Sequence, residues 1–157
     1  MNKEEQIIAE FRNLLNKISL LNKGKMEGKL KGYKPSEVHF IEYIGNNEDC
    51  NVTKLAEAFF MTNGAISKLY KKLVSKGIIE SYQKSNNKKE IYFRLTAKGN
   101  TIYKTHEELH AEFFARDRVV FEQTPDKELD CALSFAVAYN KHLDALISEK
   151  TKLGGTK

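Results

Sequence analysis

The chain of 157 residues is poor in cysteine and proline, with two of each: Cys50, Cys131, Pro35 and Pro125. Two cysteines cannot build a disulfide framework. Neither reads as a redox sensor, because a sensor thiol needs access and a depressed pKa. Cys50 follows Glu48 and Asp49, whose charges oppose thiolate formation, and Cys131 is expected to be buried on the last helix. There is no apolar run of about 18 residues, the minimum for a membrane-crossing helix. The opening MNKEEQIIAEF is acidic and amphipathic rather than a basic stretch ahead of an apolar core. That argues against a signal peptide, and a cytoplasmic location without membrane contact is expected. Internal repeats, a phosphate-binding glycine loop, a GxSxG elbow and a CxxC pair are all missing, and His, Asp and Cys occur in no catalytic order. An enzyme is not expected.

What is present concentrates between Val52 and Gly99: VTKLAEAFFMTNGAISKLYKKLVSKGIIESYQKSNNKKEIYFRLTAKG. Leu55, Ala56 and Phe59 are apolar at helical spacing, and so are Ile66, Leu69 and Leu73. Thr62 stands where its hydroxyl can cap the second of these helices. The outward positions of that helix are Asn63, Ser67, Lys68, Lys71 and Lys72, donors and cations suited to base edges and phosphates. Gly77 closes the helix, as glycine does at a left-handed cap. Ile78 to Gln83 and Glu90 to Leu95 are rich in β-branched and aromatic residues, with Ser85-Asn86-Asn87 as the turn between them. Helix, turn, lysine-rich helix and basic hairpin, in that order, make a winged helix-turn-helix, which places one helix in a groove of double-stranded DNA. Each piece alone would also fit an ordinary amphipathic helix or a solvated hairpin. The complete order favours DNA binding through Thr62, Asn63, Ser67, Lys68, Lys71 and Lys72, with Lys84, Asn86, Asn87, Lys88 and Lys89 from the hairpin.

Charge follows the same boundary. The whole chain carries +5, residues 62–94 carry +6, and the remainder sums to −1. Positive charge is thus gathered where DNA would sit.

Three long helical patterns flank this segment. Ile7, Ile8, Phe11, Leu14, Leu15, Ile18 and Leu21 form a broad apolar stripe on a first helix. The stretch GKMEGKLKGYK reads as a flexible connector. Pro35 suits the first turn of a second helix bearing Val38, Phe40, Ile41 and Ile44, which stops near Gly45. Ala97 to about Gln123 reads as a long helix with Ile102, Leu109 and Phe113 aligned, broken at Thr124-Pro125. A last helix carries Leu129, Ala132, Phe135, Ala136, Tyr139, Leu143 and Leu146, and the tail LGGTK is expected to be disordered. The fold class is mainly α with a small β hairpin. A small winged module cannot bury the stripes of the first and last helices, so a two-fold homodimer is expected. A monomer folding these helices on one another is the alternative.

The segments LAEAFFMTNGAISKLYKKLVSKGII, the hairpin and the exit LTAKG resemble the DNA-binding lobe of the MarR family of regulators, and the flanking helices extend the resemblance over nearly the whole chain. It implies one protomer over 1–157, with a winged lobe at 35–96 and a helical dimerisation lobe at 1–22 and 97–150. Two positions depart from the pattern. Phe60 stands in the turn where glycine is frequent, so this turn is expected to avoid a left-handed conformation. Asn87 and Lys89 occupy the places of the wing's Asp-x-Arg pair. Lysine acts as a point charge, so phosphate contact is expected of this wing rather than minor-groove reading.

His106 and His110 are i and i+4 on the long helix and can face one metal ion. With His39 they match positions used for metal by zinc-uptake repressors of the family, and Glu27 is the carboxylate that would complete the site. Val38 and Thr105 stand where a second site would need carboxylates. Fatty-acid-synthesis repressors of the family look similar around SEVHFIEYIG and the paired histidines, and these respond to acylated ligands. The expected function is a ligand-responsive repressor acting as a homodimer on a pseudo-palindromic operator, with a small hydrophobic or acyl effector. The alternatives are a zinc-dependent metalloregulator, zinc then being the cofactor, and an effector-less architectural DNA-binding protein. Histidines with a purely structural role stay open beside both ligand readings.

Overall fold

The structure is a computed structural model that describes residues 1–154. Among the described residues the chain forms six helices and one antiparallel hairpin. These are α1 (Lys3–Lys29), α2 (Pro35–Asn46), α3 (Val52–Phe59), α4 (Asn63–Ser75), β1 (Ile79–Lys84), β2 (Asn87–Leu95), α5 (Ala97–Glu122) and α6 (Asp126–Gly154).

Helix starts follow local chemistry. The Asn2 side chain accepts from the Glu5 N–H, and the Glu5 carboxylate accepts from the Asn2 N–H, a complete capping box. Pro35 is in the first turn of α2. Asn51 caps α3, Thr62 caps α4 and Thr96 caps α5, each accepting a backbone N–H three residues on. Gly77 ends the α4 segment at φ +69°, as expected from the sequence.

Five expectations are corrected. The connector is helical through Lys29: Met26 and Leu30 pack against the core, which offsets the helix cost of Gly24 and Gly28. The turn of the hairpin is Ser85-Asn86, and Asn87 already pairs with Lys84. Phe60 is left-handed at φ 51°, ψ 42°. There the Phe60 and Met61 N–H groups bond back to Glu57 and Ala56 carbonyls, closing α3 with a Schellman-type turn that offsets the strain. Cys131 is exposed, because α6 buries none of its residues within the described chain. The expected disordered tail is helical at Leu153 and Gly154, and its remaining residues lie outside those described.

The core lies under the helix-turn-helix. Phe40 and Ile41 of α2, Leu55 of α3, Ile66 and Leu73 of α4, Ile78 and Phe93 are at most 2% exposed. Each large apolar side chain buried this way contributes about 1.5–3 kcal/mol. Ile102, Leu109 and Phe113 extend the core along α5. The hairpin is tied to the body by an isolated bridge, the Phe93 N–H donating to the Cys50 carbonyl at 2.8 Å. This bridge and a hydrogen bond from its own thiol to the Asn47 carbonyl bury Cys50.

Candidate nucleic-acid interface

On α4, Asn63, Lys68 and Lys71 are exposed and Ser67 is half-buried, while Thr62 is held at the N-terminus by its capping bond. At the hairpin tip, Asn86, Asn87, Lys88 and Lys89 are exposed. The Asn87 side-chain oxygen accepts the Lys89 and Glu90 N–H groups, and the Gln83 amide donates to the Lys88 carbonyl at 2.9 Å. These bonds shape the tip and leave both ammonium groups outward.

Two lysines named from the sequence are engaged elsewhere. Lys72 Nζ lies 2.8 Å from Glu37 Oε1, and Lys76 Nζ lies 3.1 Å from the same oxygen. Lys84 donates to Asp49, which also accepts the Tyr82 hydroxyl at 2.8 Å. Sequence reading missed both acids. Glu37 sits in the first turn of α2, where its carboxylate accepts the Lys34 N–H at 3.0 Å. That position is a legible cap signal, but its two lysine partners come from a distant helix. The Glu37 side chain is 1% exposed. Burial alone would raise its pKa, and the hydrogen bonds from Lys72, the Lys34 backbone and Lys76 outweigh it, bringing it down to about 2. Hydrogen bonds from Lys84 and Tyr82 likewise hold Asp49 below the usual carboxylate range.

The four residues expected to hold metal do not converge. The cluster of ligand-capable atoms that forms among the described residues is Glu42, His106 and His110, all within 4.8 Å of one another. Glu27 is carried on an exposed turn of the extended α1, with its carboxylate 3.9 Å from Lys23. His39 is exposed on α2. Glu27, His39 and His106 instead share the wall of a cavity of about 330 Å³ with Met26, Leu30, Tyr33, Pro35 and Val38. His106 and His110 face each other with Nε2 atoms 2.9 Å apart, so one nitrogen donates and the other accepts. His106 is 2% exposed and its Nδ1 has no hydrogen-bond partner among the described residues. Burial first, then the neighbouring His110, pushes its pKa below the ordinary imidazole value. The stretch His106-Glu107-Glu108-Leu109-His110 also has the HExxH spacing of zinc hydrolases, a motif the sequence was expected to lack. Glu107, the residue that would serve as base, accepts the Tyr103 hydroxyl at 2.7 Å.

A capped lysine-rich helix beside a basic hairpin, carried on a body with two long apolar helices, defines a winged helix-turn-helix protein. Residues 34–91 match the model of the MarR family. It is 34% identical over 94 residues to the uncharacterized HTH-type transcriptional regulator YhjH of Bacillus subtilis (strain 168), covering 60% of this chain and 54% of that one. It is 39% identical over 75 residues to the HTH-type transcriptional regulator PchR of the same organism, covering 48% of this chain and 44% of that one. The match thus spans about half the length of these curated relatives. The fold is similar to that of Streptococcus pneumoniae FabT in complex with DNA, with a TM-score of 0.77, 19% identity, and coverage of 92% of this chain and 99% of that one.

Proposed function

We propose that this chain is a sequence-specific DNA-binding repressor that acts as a homodimer on a pseudo-palindromic operator. One observation carries the reading: Asn63, Lys68 and Lys71 are exposed along α4, and Lys88 and Lys89 are exposed at the tip of the hairpin that follows it. The lysines meet phosphates, while Asn63 and Ser67 reach base edges. The DNA-bound state of FabT and the regulators among the relatives support this reading. Selection from random-sequence duplexes is its test. The enriched sequences should converge on an inverted repeat with half-sites about 34 Å apart, one helical turn. Failure to enrich any sequence would remove sequence-specific recognition.

The effector compartment in this reading is the cavity between α1, α2 and α5. Its apolar wall of Met26, Leu30, Tyr33, Pro35 and Val38, edged by His39 and His106, suits a small ligand with an apolar body and one hydrogen-bonding group. An acyl compound has that form. Titrating a long-chain acyl thioester into the protein–operator complex should shift operator affinity. Calorimetry with zinc on metal-free protein distinguishes the metalloregulator, which requires heat from zinc and no response to the thioester.

A further inference from the structure

We infer that Glu37 is a positioning residue of the DNA-binding surface: it is the internal counter-ion that withholds Lys72 and Lys76 from phosphate and leaves Lys68 and Lys71 as the free cations of the α4 face. The inference rests on the DNA-binding reading above.

Lys72 and Lys76 are one turn apart on the C-terminal part of the α4 segment, and both Nζ atoms converge on one carboxylate. Lys76 reaches both carboxylate oxygens, at 3.1 and 3.3 Å, and also lies over the Tyr33 ring at 5.5 Å. Glu37 Oε2 is held from behind by the Lys34 N–H, so the carboxylate cannot swing out to follow a lysine toward solvent. Charge-assisted bonds of this kind are stronger than neutral ones, and a buried carboxylate left without them is costly. The side chain of Glu37 is 1% exposed against 45% for Lys72, so departure of the lysine would strip a buried carboxylate of a charge partner, and that cost holds Lys72 in place. Lys68 and Lys71 belong to the same helix, and among the described residues neither is ion-paired with an acid. The recognition face therefore carries fewer free charges than its sequence displays. That limits non-specific affinity, which depends on phosphate neutralisation alone, and leaves base-reading contacts untouched.

The test compares wild type with Glu37→Gln on a mixed-sequence duplex and on the selected operator, across a salt series. Releasing the lysines should tighten non-specific binding and steepen the log–log salt slope by about 0.9 for each lysine that gains a phosphate. Lys72→Ala in the Glu37→Gln background should return the slope part of the way. An unchanged or shallower slope in a folded Glu37→Gln protein overturns the inference. Acetylation footprinting of wild-type protein gives an answer that does not depend on the variant folding. Lys72 should react slowly with or without DNA, whereas Lys68 and Lys71 should react freely and become protected when DNA is added. DNA-dependent protection of Lys72 equal to that of Lys71 overturns the inference. Absence of DNA binding by wild type would instead refute the reading on which it rests.

Discussion

Gly77 and Gly99 serve the junction of α4, the hairpin and α5 for different physical reasons. Gly77 has φ +69° with open space where a Cβ would go, so Gly77→Ala costs only left-handed strain, about 1–2 kcal/mol. A Cβ on Gly99 would lie 2.1 Å from the Ile78 carbonyl oxygen, which is backbone and cannot rotate aside. Gly99→Ala must separate α5 from the end of the α4 segment, and the expected cost is about 3 kcal/mol, at the upper end for overpacking. Urea denaturation of the two variants should rank Gly99→Ala as clearly the less stable. Phe60 shows the limit of reasoning from a single residue: a Cβ penalises the left-handed region, yet two backbone bonds and a half-buried ring hold it there. His106 makes stability depend on pH. Burial and His110 depress its pKa below 6.5, so as pH falls the unfolded chain takes up the proton first. The stability contributed by the neutral ring is present above pH 6.5 and is lost as pH falls from there through the folded value. The stability gap between about pH 7.5 and about pH 5.5 should narrow in His106→Gln, measured by denaturation at both values. An equal gap in the variant would assign the acid sensitivity to other groups.

At the scale of elements, the hairpin combines exposed tip lysines with anchors to the body of the protein. It is anchored along its length by the bridge at Cys50 and Phe93, by Asn51 with Glu90, and by Asp49 with Tyr82 and with Lys84, the last residue before the turn. Among the described residues the Lys88 and Lys89 ammonium groups at its tip have no such anchor, so the two should act through phosphates. Replacing both with Ala should weaken binding to every sequence and flatten the salt slope by about 0.9 per lost contact. Unchanged affinity and slope would displace the wing from the DNA. Element order and most helix ends were legible in the sequence because their causes are local. A threonine before α4, a proline opening α2, a glycine after α4 and Thr124-Pro125 between α5 and α6 each act within one turn. The candidate interface was legible as a set of exposed cations but not as a set of free ones. Whether Lys72 or Lys84 is free depends on Glu37 and Asp49, which only the packing of α4 and the hairpin against α2 and its following loop brings close. The histidines show the same limit. Their i, i+4 spacing was plain, but their neighbour is Glu42 rather than Glu27, because α1 continues as a helix and carries Glu27 to an exposed side.

At the scale of the molecule, burial is divided unequally. The core gathers beneath the winged module, while α1 and α6 bury no residue within the described chain. Leu15 and Leu133 are each 65% exposed, with Leu14, Leu20, Leu21, Val137 and Leu146 also open. Apolar surface on that scale marks an association surface, and two long helices at opposite ends of one chain can supply it to a two-fold partner. Phe135 links the two, its ring meeting Phe11 of α1 edge-on at 5.9 Å while remaining 44% exposed. Phe135→Asp would place an unpaired carboxylate against these apolar faces. At about 3 kcal/mol or more, it should weaken the proposed dimer by about a hundredfold or more. The fold should survive, because the buried core gathers in α2 to α5 and Phe135 is not among its members. Sedimentation equilibrium should show monomers with an unaltered helical signal. Operator binding should fall with the dimer, since one recognition helix then engages one half-site without its twin. A Phe135→Asp protein that sediments as a dimer would assign the exposed faces of α1 and α6 to another partner and remove the proposed two-fold contact through these helices.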